Sequence, residues 1–335
     1  MAFKLIRGVI VGASSALGKE LTEQLTMSPA SAWDLTLLDD GEAGQVTAAG
    51  EEAMIVLPLE KATFEGADVV FFASTTEVTE RYWKKALATK AALVDLTGAL
   101  GQEEGAKILA PSVGTTKADL ETTVVLAAHP AAILMAMLEK AVPQAKRLVA
   151  TILEPASQLG QMGMDELHAQ TVALLSFQSL PKEVFGAQVA FTLRDELGSE
   201  AKKNLHRTRS VVSEQLRTLR GESSRSTTLQ FLQAPIFHGY GASVWIDTEA
   251  KVSLEAMLLA LTNVGIKPIT DFSEEEEVTN QGVSGQADVL ARVREDENGM
   301  GFWVWLVADN LHLTVRNAIS SALELLELRP SATLQ

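Results

Sequence analysis

The chain of 335 residues contains no cysteine. Disulfide bonds, thiolate–zinc sites and iron–sulfur clusters are therefore excluded, because each of them requires cysteine sulfur. Any mechanism in which a cysteine thiolate attacks the substrate is excluded for the same reason. Few other absences in the sequence restrict the possible chemistry as much.

Positive charge is also scarce. Lysine and arginine number 28 against 43 aspartates and glutamates, which gives a net charge of −15. A nucleic-acid backbone requires clustered basic residues, so we expect no nucleic-acid partner. No apolar run reaches the ~18–20 residues that span a bilayer, so we expect no membrane partner and a cytoplasmic protein. The opening "MAFKLIRGVIVGASS" lacks a clear signal-peptide cleavage site and predicts a strand followed by a glycine turn.

Two common catalytic patterns are missing as well. The nucleophile elbow Gly-x-Ser-x-Gly does not occur, and no Ser-His-Asp set can be assigned from spacing. None of the histidines has metal-ligand spacing to another histidine or carboxylate, so no metal is expected. The histidines are His129, His168, His206, His238 and His312.

The first part of the chain alternates between strand and helix patterns. Strands are predicted at the start of 5–27 and at 34–40, 52–59, 67–75, 91–99 and 106–113, with a helix at 82–91. Such alternation is typical of an open, mostly parallel α/β sheet. Right-handed crossovers then predict a Rossmann-like fold.

The pattern changes after about residue 127. Helices are predicted at 131–142, 164–177, 199–219, 251–264 and 313–328, strands at 146–157, 227–238, 242–248, 284–295 and 299–309, and a solvated loop at 271–280. Strands with few intervening helices predict an α+β domain with a mixed or antiparallel sheet. We therefore predict a dinucleotide-binding domain from residues 1–127 plus 310–335 and a second domain from 128–309.

A glycine-rich turn, "GASSALG" (12–18), follows the first predicted strand. Such turns bring backbone N–H groups to a pyrophosphate, and the usual dinucleotide pattern has three glycines. Gly12 and Gly18 fit its first and last positions, whereas Ser15 stands at the middle one, where the hydroxyls of Ser14 and Ser15 can compensate. The alternative is a tight strand-to-helix turn that binds no ligand.

Aspartates close the second predicted strand in "LLDDGEAG" (37–44). A carboxylate at this point bonds the ribose hydroxyls of NAD and repels the 2′-phosphate of NADP. Asp39 or Asp40 therefore favours NAD, and the alternative is a solvated acidic loop. Further along, "LEPASQLGQMGMDELHAQ" (153–170) predicts a flexible loop with Asp165 capping the helix that follows.

Taken in order, the motifs resemble those of aspartate-semialdehyde dehydrogenases and the related N-acetyl-glutamyl-phosphate reductases over nearly the whole chain. The first domain is similar in "VGASSALGKEL", "DVVFFASTTE" and "LVDLTGAL". In the second, "PASQLGQMGMDEL" (155–167) follows the family's Ser-Gly-Ala-Gly-x-x-Gly-x-x-Glu-Leu. Two later motifs are matched by "QAPIFHGYGASVWIDTE" (233–249) and "VADNLHLTVRNA" (307–318).

The resemblance implies the reductive dephosphorylation of an acyl phosphate. In that reaction a cysteine forms a thioester, a nicotinamide supplies hydride and a histidine handles protons. The family's Asn-Pro-x-Cys aligns with "HPAA" (129–132), so Pro130 is kept and Ala132 stands at the cysteine position. An alanine methyl cannot form a thioester.

Other positions to which the resemblance assigns chemistry are changed too. The glutamine that positions the substrate aligns with Glu154, the arginine that binds its carboxylate with Gln233, and the catalytic histidine with Tyr240. The arginine that holds phosphate aligns with Gly101, and the pair that binds a 2′-phosphate with Gly41-Glu42.

The same resemblance implies which residues face the ligands. NAD or NADP would contact Gly12, Ser14, Ser15, Ala16, Leu17, Gly18, Asp39, Ser74 and Asn310. Ser157, Gly160 and Lys202 would line the substrate pocket, where His206 replaces an acid. The resemblance also implies a homodimer, formed by the second domain's sheet and the helices near 164–177 and 199–219.

Three functions are compatible with these residues. The first is a catalytically degenerate relative, kept for nucleotide binding, dimerisation or regulation. The second is an active NAD(P)-dependent oxidoreductase that acts on an aldehyde or an acyl-phosphate-like amino-acid derivative by a route without cysteine. The third is an interaction protein with a closed pocket.

Overall fold

The computed structural model describes residues 5–27, 32–41, 46–49, 52–114, 116–221, 226–248, 250–271 and 277–329. The chain divides into two compact units, a first unit of Met1–Ala128 with Thr314–Gln335 and a second unit of His129–Leu313. The chain returns from the second unit to the first within the last helix. Asn310, the first residue of that helix, belongs to the second unit, and its side chain accepts hydrogen bonds from residues of that unit.

The first unit is built on an eight-stranded sheet in the order β3-β4-β2-β1-β5-β6-β8-β7. Its strands are β1 (Leu5–Val11), β2 (Ala32–Asp39), β3 (Val46–Ala49), β4 (Glu52–Pro58), β5 (Val69–Phe72), β6 (Ala92–Asp95), β7 (Ala106–Leu109) and β8 (Val124–Ala127). All pairs are parallel except β3 with β4. The Rossmann-like prediction is confirmed.

Apolar side chains cover both faces of this sheet. On one face, α1 (Ala16–Thr26) and α7 (Asn310–Leu328) contribute Leu21 and Val315 to the core. On the other face, α2 (Thr76–Leu87) contributes Trp83. A strand that is buried on both faces consists of consecutive apolar residues. For this reason the sequence "VVFF" of β5 predicts a strand.

The second unit contains a six-stranded mixed sheet in the order β10-β9-β11-β14-β13-β12, as predicted. Its strands are β9 (Ala145–Glu154), β10 (Ser226–Gln233), β11 (Tyr240–Thr248), β12 (Ile266–Pro268), β13 (Val289–Glu295) and β14 (Gly301–Ala308). Its helices are α3 (Pro130–Ala141), α4 (Gly160–Leu175), α5 (Leu205–Arg220) and α6 (Leu254–Asn263).

Several predicted boundaries were wrong because capping residues decide them. The helix predicted at 82–91 begins at Thr76, since the Thr75 side chain accepts from the Val78 amide. The one predicted from 199 begins at Leu205, capped by Asn204. Asp165 is not a cap, because α4 begins at Gly160. The predictions for residues 272–276 and Glu42 lie outside the described residues.

Short strands were missed as well. The hairpin strand β3 and the three-residue β12 carry too little pattern to be read from sequence. Among the described residues, no helix has the length and apolar character needed to cross a membrane. The described ranges also contain no group of acidic, histidine or cysteine side chains arranged to hold a metal ion.

Candidate functional site

The glycine turn after β1 depends on its two glycines for packing. Gly12 has φ +88°, and a Cβ there would lie 2.6 Å from the backbone of Ser74. A Cβ on Gly18 would lie 2.1 Å from the carbonyl oxygen of Gly12. Both glycines are therefore required by the turn itself, with or without a nucleotide.

Ser15 caps α1 from the position where the dinucleotide pattern has glycine. Its hydroxyl accepts from the Gly18 amide at 2.9 Å and donates to the Ala73 carbonyl at 2.7 Å. Its side chain is thus committed to the helix and to the end of β5. In this turn the amides of Ala16 and Leu17 have no acceptor among the described residues. Two N–H groups at a helix N-terminus fit the pyrophosphate of a dinucleotide.

Asp39 ends β2 and is almost buried, with 8% of its surface exposed. Its Oδ2 accepts from the Ser14 amide at 2.9 Å, and its Oδ1 accepts from the Asp40 and Gly41 amides at 2.8 and 3.2 Å. Burial raises the pKa of Asp39, but hydrogen bonds from Ser14, Gly41 and Asp40 outweigh burial and lower it below its ordinary value. The carboxylate is therefore ionised, a charge that suits ribose hydroxyls and repels a 2′-phosphate.

Asp95 organises the turn that follows β6. The carboxylate is fully buried and accepts from the amides of Thr97, Gly98 and Leu100 at 2.7, 3.1 and 2.9 Å. Gly101 lies exposed just beyond this turn. At the position where the resemblance places a phosphate-binding arginine, the chain has no side chain that could bind phosphate.

In the second unit, the start of α3 is closed by His129. The His129 Nδ1 accepts from the Ala131 amide at 3.2 Å, and its carbonyl oxygen accepts from Ala132 and Ile133 at 2.8 and 3.1 Å. Pro130, the first residue of the helix, has no N–H. Ala132 is fully buried. The first turn therefore offers neither a nucleophile nor an open N–H for an oxyanion.

His129 is a neutral imidazole. Burial, and then the positive charge of Lys203, lower the pKa of His129 to about 3. Because Nδ1 is an acceptor, the ring carries its proton on Nε2. The Nε2 atom lies 3.4 Å from Gln158 Nε2. Two N–H groups cannot bond each other, so this tautomer requires the Gln158 amide to be turned with its oxygen towards the ring. The His129 amide donates to Gln215 Oε1 at 2.7 Å.

Glu154, Tyr240 and Lys203 form one buried cluster. Glu154 ends β9 and Tyr240 begins β11, and both are fully buried. The Tyr240 hydroxyl donates to Glu154 Oε1 at 3.2 Å, and the Lys203 ammonium bonds the same oxygen. Burial, the Glu154 charge and this hydrogen bond all raise the pKa of Tyr240. The phenol therefore stays protonated and is a poor base.

The Gln233 side chain hydrogen-bonds the backbone and does not face a ligand. It ends β10, pairs with Glu154 in the parallel register and is 1% exposed. Its Nε2 donates to the Glu154 and Ala234 carbonyls at 2.9 and 3.2 Å. At this position the chain presents no charge to a substrate carboxylate.

The lysine in the cluster is Lys203, which the sequence analysis missed. Lys202, the predicted pocket residue, is exposed. Lys203 directly precedes Asn204, the cap of α5, so the start of this helix fixes its position beside Glu154. The adjacent pair Lys202-Lys203 was a signal, but the path of the backbone before α5 decides which lysine points inward.

Asn310 links two loops of the second unit. Its Oδ1 accepts from the Ser157 hydroxyl and from the Gly239 amide, each at 3.1 Å. Gly160, at the start of α4, has φ +64°. These residues hold the chain on either side of Glu154 and Tyr240, so in this structure they position the cluster.

Two sequence profiles match the chain. That of the "Semialdehyde dehydrogenase, NAD binding domain" matches residues 8–150, and that of the "Semialdehyde dehydrogenase, dimerisation domain" matches residues 134–313. Together they cover most of the chain.

Individual relatives are similar over nearly their whole length. An aspartate-semialdehyde dehydrogenase of Rickettsia bellii is 23% identical, across 95% of this chain and 97% of its own. A USG-1 protein homolog of Pseudomonas aeruginosa is 25% identical, across 90% and 92%. A solved structure of a probable aspartate-semialdehyde dehydrogenase from Pseudomonas aeruginosa has a TM-score of 0.83 at 25% identity, covering 99% of this chain and all of the other.

Proposed function

The chain belongs to the semialdehyde dehydrogenase family, and we propose that it is a non-catalytic member, kept for nucleotide binding and self-association. The observation that carries this proposal is the closed start of α3. A buried methyl of Ala132 stands where the thioester would form, and His129 satisfies the amides around it. Among the described residues at the start of α3, no group is available to form a bond to the substrate or to stabilise an oxyanion.

The charges of the cluster support the same proposal. Lys203 is the cation that contacts Glu154, and its charge is neutralised by that carboxylate. An acyl phosphate and a substrate carboxylate would each need an uncompensated cation. Gln233 and the neutral His129 supply none. The cluster therefore suits a stabilising role inside the second unit better than anion binding.

NAD is the nucleotide that the first unit fits. The Ala16 and Leu17 amides would bind the pyrophosphate, and the ionised Asp39 would accept from the ribose hydroxyls. NADP would bring its 2′-phosphate against that carboxylate. When bound, the nicotinamide would be able to exchange hydride, but the cluster described here provides no acylated partner for it.

A homodimer is the second part of the proposal, and the open face of the six-stranded sheet supports it. Trp245 and Trp303 pair across strands with ring centroids 5.4 Å apart, and Trp303 is 49% exposed. A Cβ on Gly301 would lie 2.4 Å from the Trp245 ring, so glycine leaves room for this indole against the backbone. An exposed aromatic face suits a symmetric contact with a second copy.

Direct carbonyl reduction without cysteine is the second candidate. The observation in its favour is the hydrogen bond from the Tyr240 hydroxyl to Glu154, since a phenol can donate a proton to a developing alkoxide. Full burial of Tyr240 and its raised pKa place this candidate behind the first.

Calorimetric titration with NAD and with NADP, beside a turnover assay, tests the proposal. We expect a dissociation constant for NAD in the micromolar range, weaker binding of NADP, and no hydride transfer with aspartate semialdehyde and phosphate or with a panel of aldehydes. Absence of heat and of thermal stabilisation at millimolar nucleotide would refute nucleotide binding. Turnover with an aldehyde would favour the second candidate.

A further inference from the structure

Two phenylalanines on the segment that follows α4 combine a strained backbone with an exposed ring. Phe177 has φ +54° and is 99% exposed. Phe191 has φ +61° and is 64% exposed. The left-handed region is unfavourable for a bulky residue, and exposed aromatic surface gains nothing from folding. A strained backbone that also exposes an apolar ring is doubly unfavourable for the isolated chain, which points to a binding role for the ring.

Phe177 occupies a position that normally belongs to glycine. The Gln178 amide donates to the Ala173 carbonyl at 2.8 Å, and the Phe177 amide donates to Leu174 at 3.4 Å. This is the Schellman pattern that ends a helix, and glycine is the residue it favours at the left-handed position. The end of α4 would therefore be more stable with glycine, and the ring makes no compensating buried contact with the part of the chain that the structure describes.

Phe191 follows a turn whose backbone is hydrogen-bonded to a side chain of α4. The Val189 and Ala190 amides donate to Gln170 Oε1 at 2.7 and 3.1 Å. Gln170 lies on α4 and is fully buried. The same helix thus carries Phe177 at its end and fixes the turn that carries Phe191, so the two rings are displayed from one rigid support.

The segment continues the open face of the sheet. Arg194 pairs with Gln233 through two backbone hydrogen bonds, of 3.0 and 2.8 Å. Because Gln233 is buried, side-chain alternation directs Leu193 to the opposite, open side, and Leu193 is 60% exposed. Leu175, near the end of α4, is 71% exposed.

We infer that Phe177 and Phe191 are anchor side chains for a second copy of this chain. The inference rests on the proposed homodimer and adds the residues that hold it together. Their segment adjoins the open sheet face proposed to pair, within the family's dimerisation domain. Two chains of charge −15 repel each other, so they need an uncharged, apolar contact. Buried aromatic side chains are the usual anchors of such contacts.

Glycine at either phenylalanine position should weaken the dimer and stabilise the folded monomer. Phe177→Gly and Phe191→Gly should each raise the dimer dissociation constant by about tenfold in sedimentation dilution series, because symmetry removes two rings per dimer. At concentrations where the chain is monomeric, each should raise the melting temperature by about 1–3 °C through relief of strain. Lys90→Gly is the matched control: Lys90 is exposed with φ +64°, so the variant should share the second effect without the first.

The outcomes separate this inference from the proposed homodimer. In one outcome the wild type dimerises while the Phe177→Gly/Phe191→Gly double variant keeps a dissociation constant within about twofold of the wild-type value. That result would overturn the anchors and leave the homodimer standing. A wild-type chain that remains monomeric at about 100 μM would overturn both. Weaker association of the two phenylalanine variants, with normal association of the lysine control, supports the anchors.

Discussion

The Ser14 amide donates to Asp39 Oδ2 at 2.9 Å, and the Ser14 hydroxyl lowers the pKa of the same carboxylate. With the amides of Asp40 and Gly41, three backbone donors converge on a group that offers about four lone-pair positions. A ribose hydroxyl and the Ser14 hydroxyl therefore compete for the position that remains.

Ser14→Ala should accordingly tighten the binding of NAD. Removal of the competing hydroxyl frees one acceptor position, and a net hydrogen bond corresponds to about a fivefold change in affinity. Titration calorimetry of the variant and the wild type measures it. Ser14→Thr keeps a hydroxyl and serves as the control with unchanged affinity. Equal binding by the alanine variant would show that the Ser14 hydroxyl does not compete with ribose, and weaker binding would show that this hydroxyl supports the nucleotide.

Removing either partner of the buried Glu154–Lys203 pair should destabilise the second unit strongly. Glu154 is fully buried and the Lys203 side chain is 15% exposed. Lys203→Met leaves a buried charge unpaired and should reduce the free energy of unfolding by about 4 kcal/mol. Glu154→Gln should reduce it by about 3 kcal/mol, because the lysine keeps some access to water.

The double variant Glu154→Gln with Lys203→Met distinguishes pairing from packing. It removes both charges and should recover most of the loss, as measured by denaturant unfolding of all four proteins. Additive losses in the double variant would mean that the two charges do not depend on each other.

His129 should make the protein less stable in mild acid. Its folded pKa is about 3, against 6.5 in the unfolded chain. Between these values the unfolded state binds more protons, so the free energy of unfolding falls as pH decreases from 6.5 towards 3. The slope contributed by this residue is at most about 1.4 kcal/mol per pH unit.

His129→Asn isolates that contribution, because asparagine keeps a helix-capping side chain that does not titrate. Urea unfolding between pH 7 and pH 5 should show a steeper loss in the wild type than in the variant. The His129 ring resonances should not shift in NMR spectra over the same range. Identical pH slopes, or a ring that titrates near pH 6, would contradict the neutral, buried imidazole.

The absence of cysteine allows a direct probe of the α3 start. Ala132→Cys introduces the only thiol in the chain, at a fully buried position. The native variant should react with a thiol reagent far more slowly than Leu120→Cys, whose parent side chain is 84% exposed. In denaturant, each of the two variants should react with one equivalent of the thiol reagent. Fast labelling of Cys at position 132 in the native state would reveal an open pocket.

The sequence predicted most of the fold because the fold depends on patterns that extend over many residues. The run Val69–Phe72 identifies a central parallel strand, and the order of such runs identifies the sheet. Ala132 was also identifiable, because the motif around Pro130 locates it without any structure. The loss of a nucleophile can be predicted from the residue type at a single position.

The rest depended on contacts between distant residues. Lys203 and Glu154 are 49 positions apart, and no local pattern links them. The capping of α3 by His129 depends on the orientation of one ring, and the hydrogen bonding of Asp39 depends on a turn 25 residues earlier. The left-handed Phe177 follows from a helix ending that sequence analysis would assign to glycine.

The loss of the family reaction is tested most directly by NAD(P)H formation from aspartate semialdehyde and phosphate. The purified wild-type protein should give no rate above the blank, at nucleotide concentrations that calorimetry shows to be bound. A rate that scales with protein concentration and disappears in Tyr240→Phe or Glu154→Gln would contradict the proposal. It would establish hydride transfer by a route that needs no cysteine.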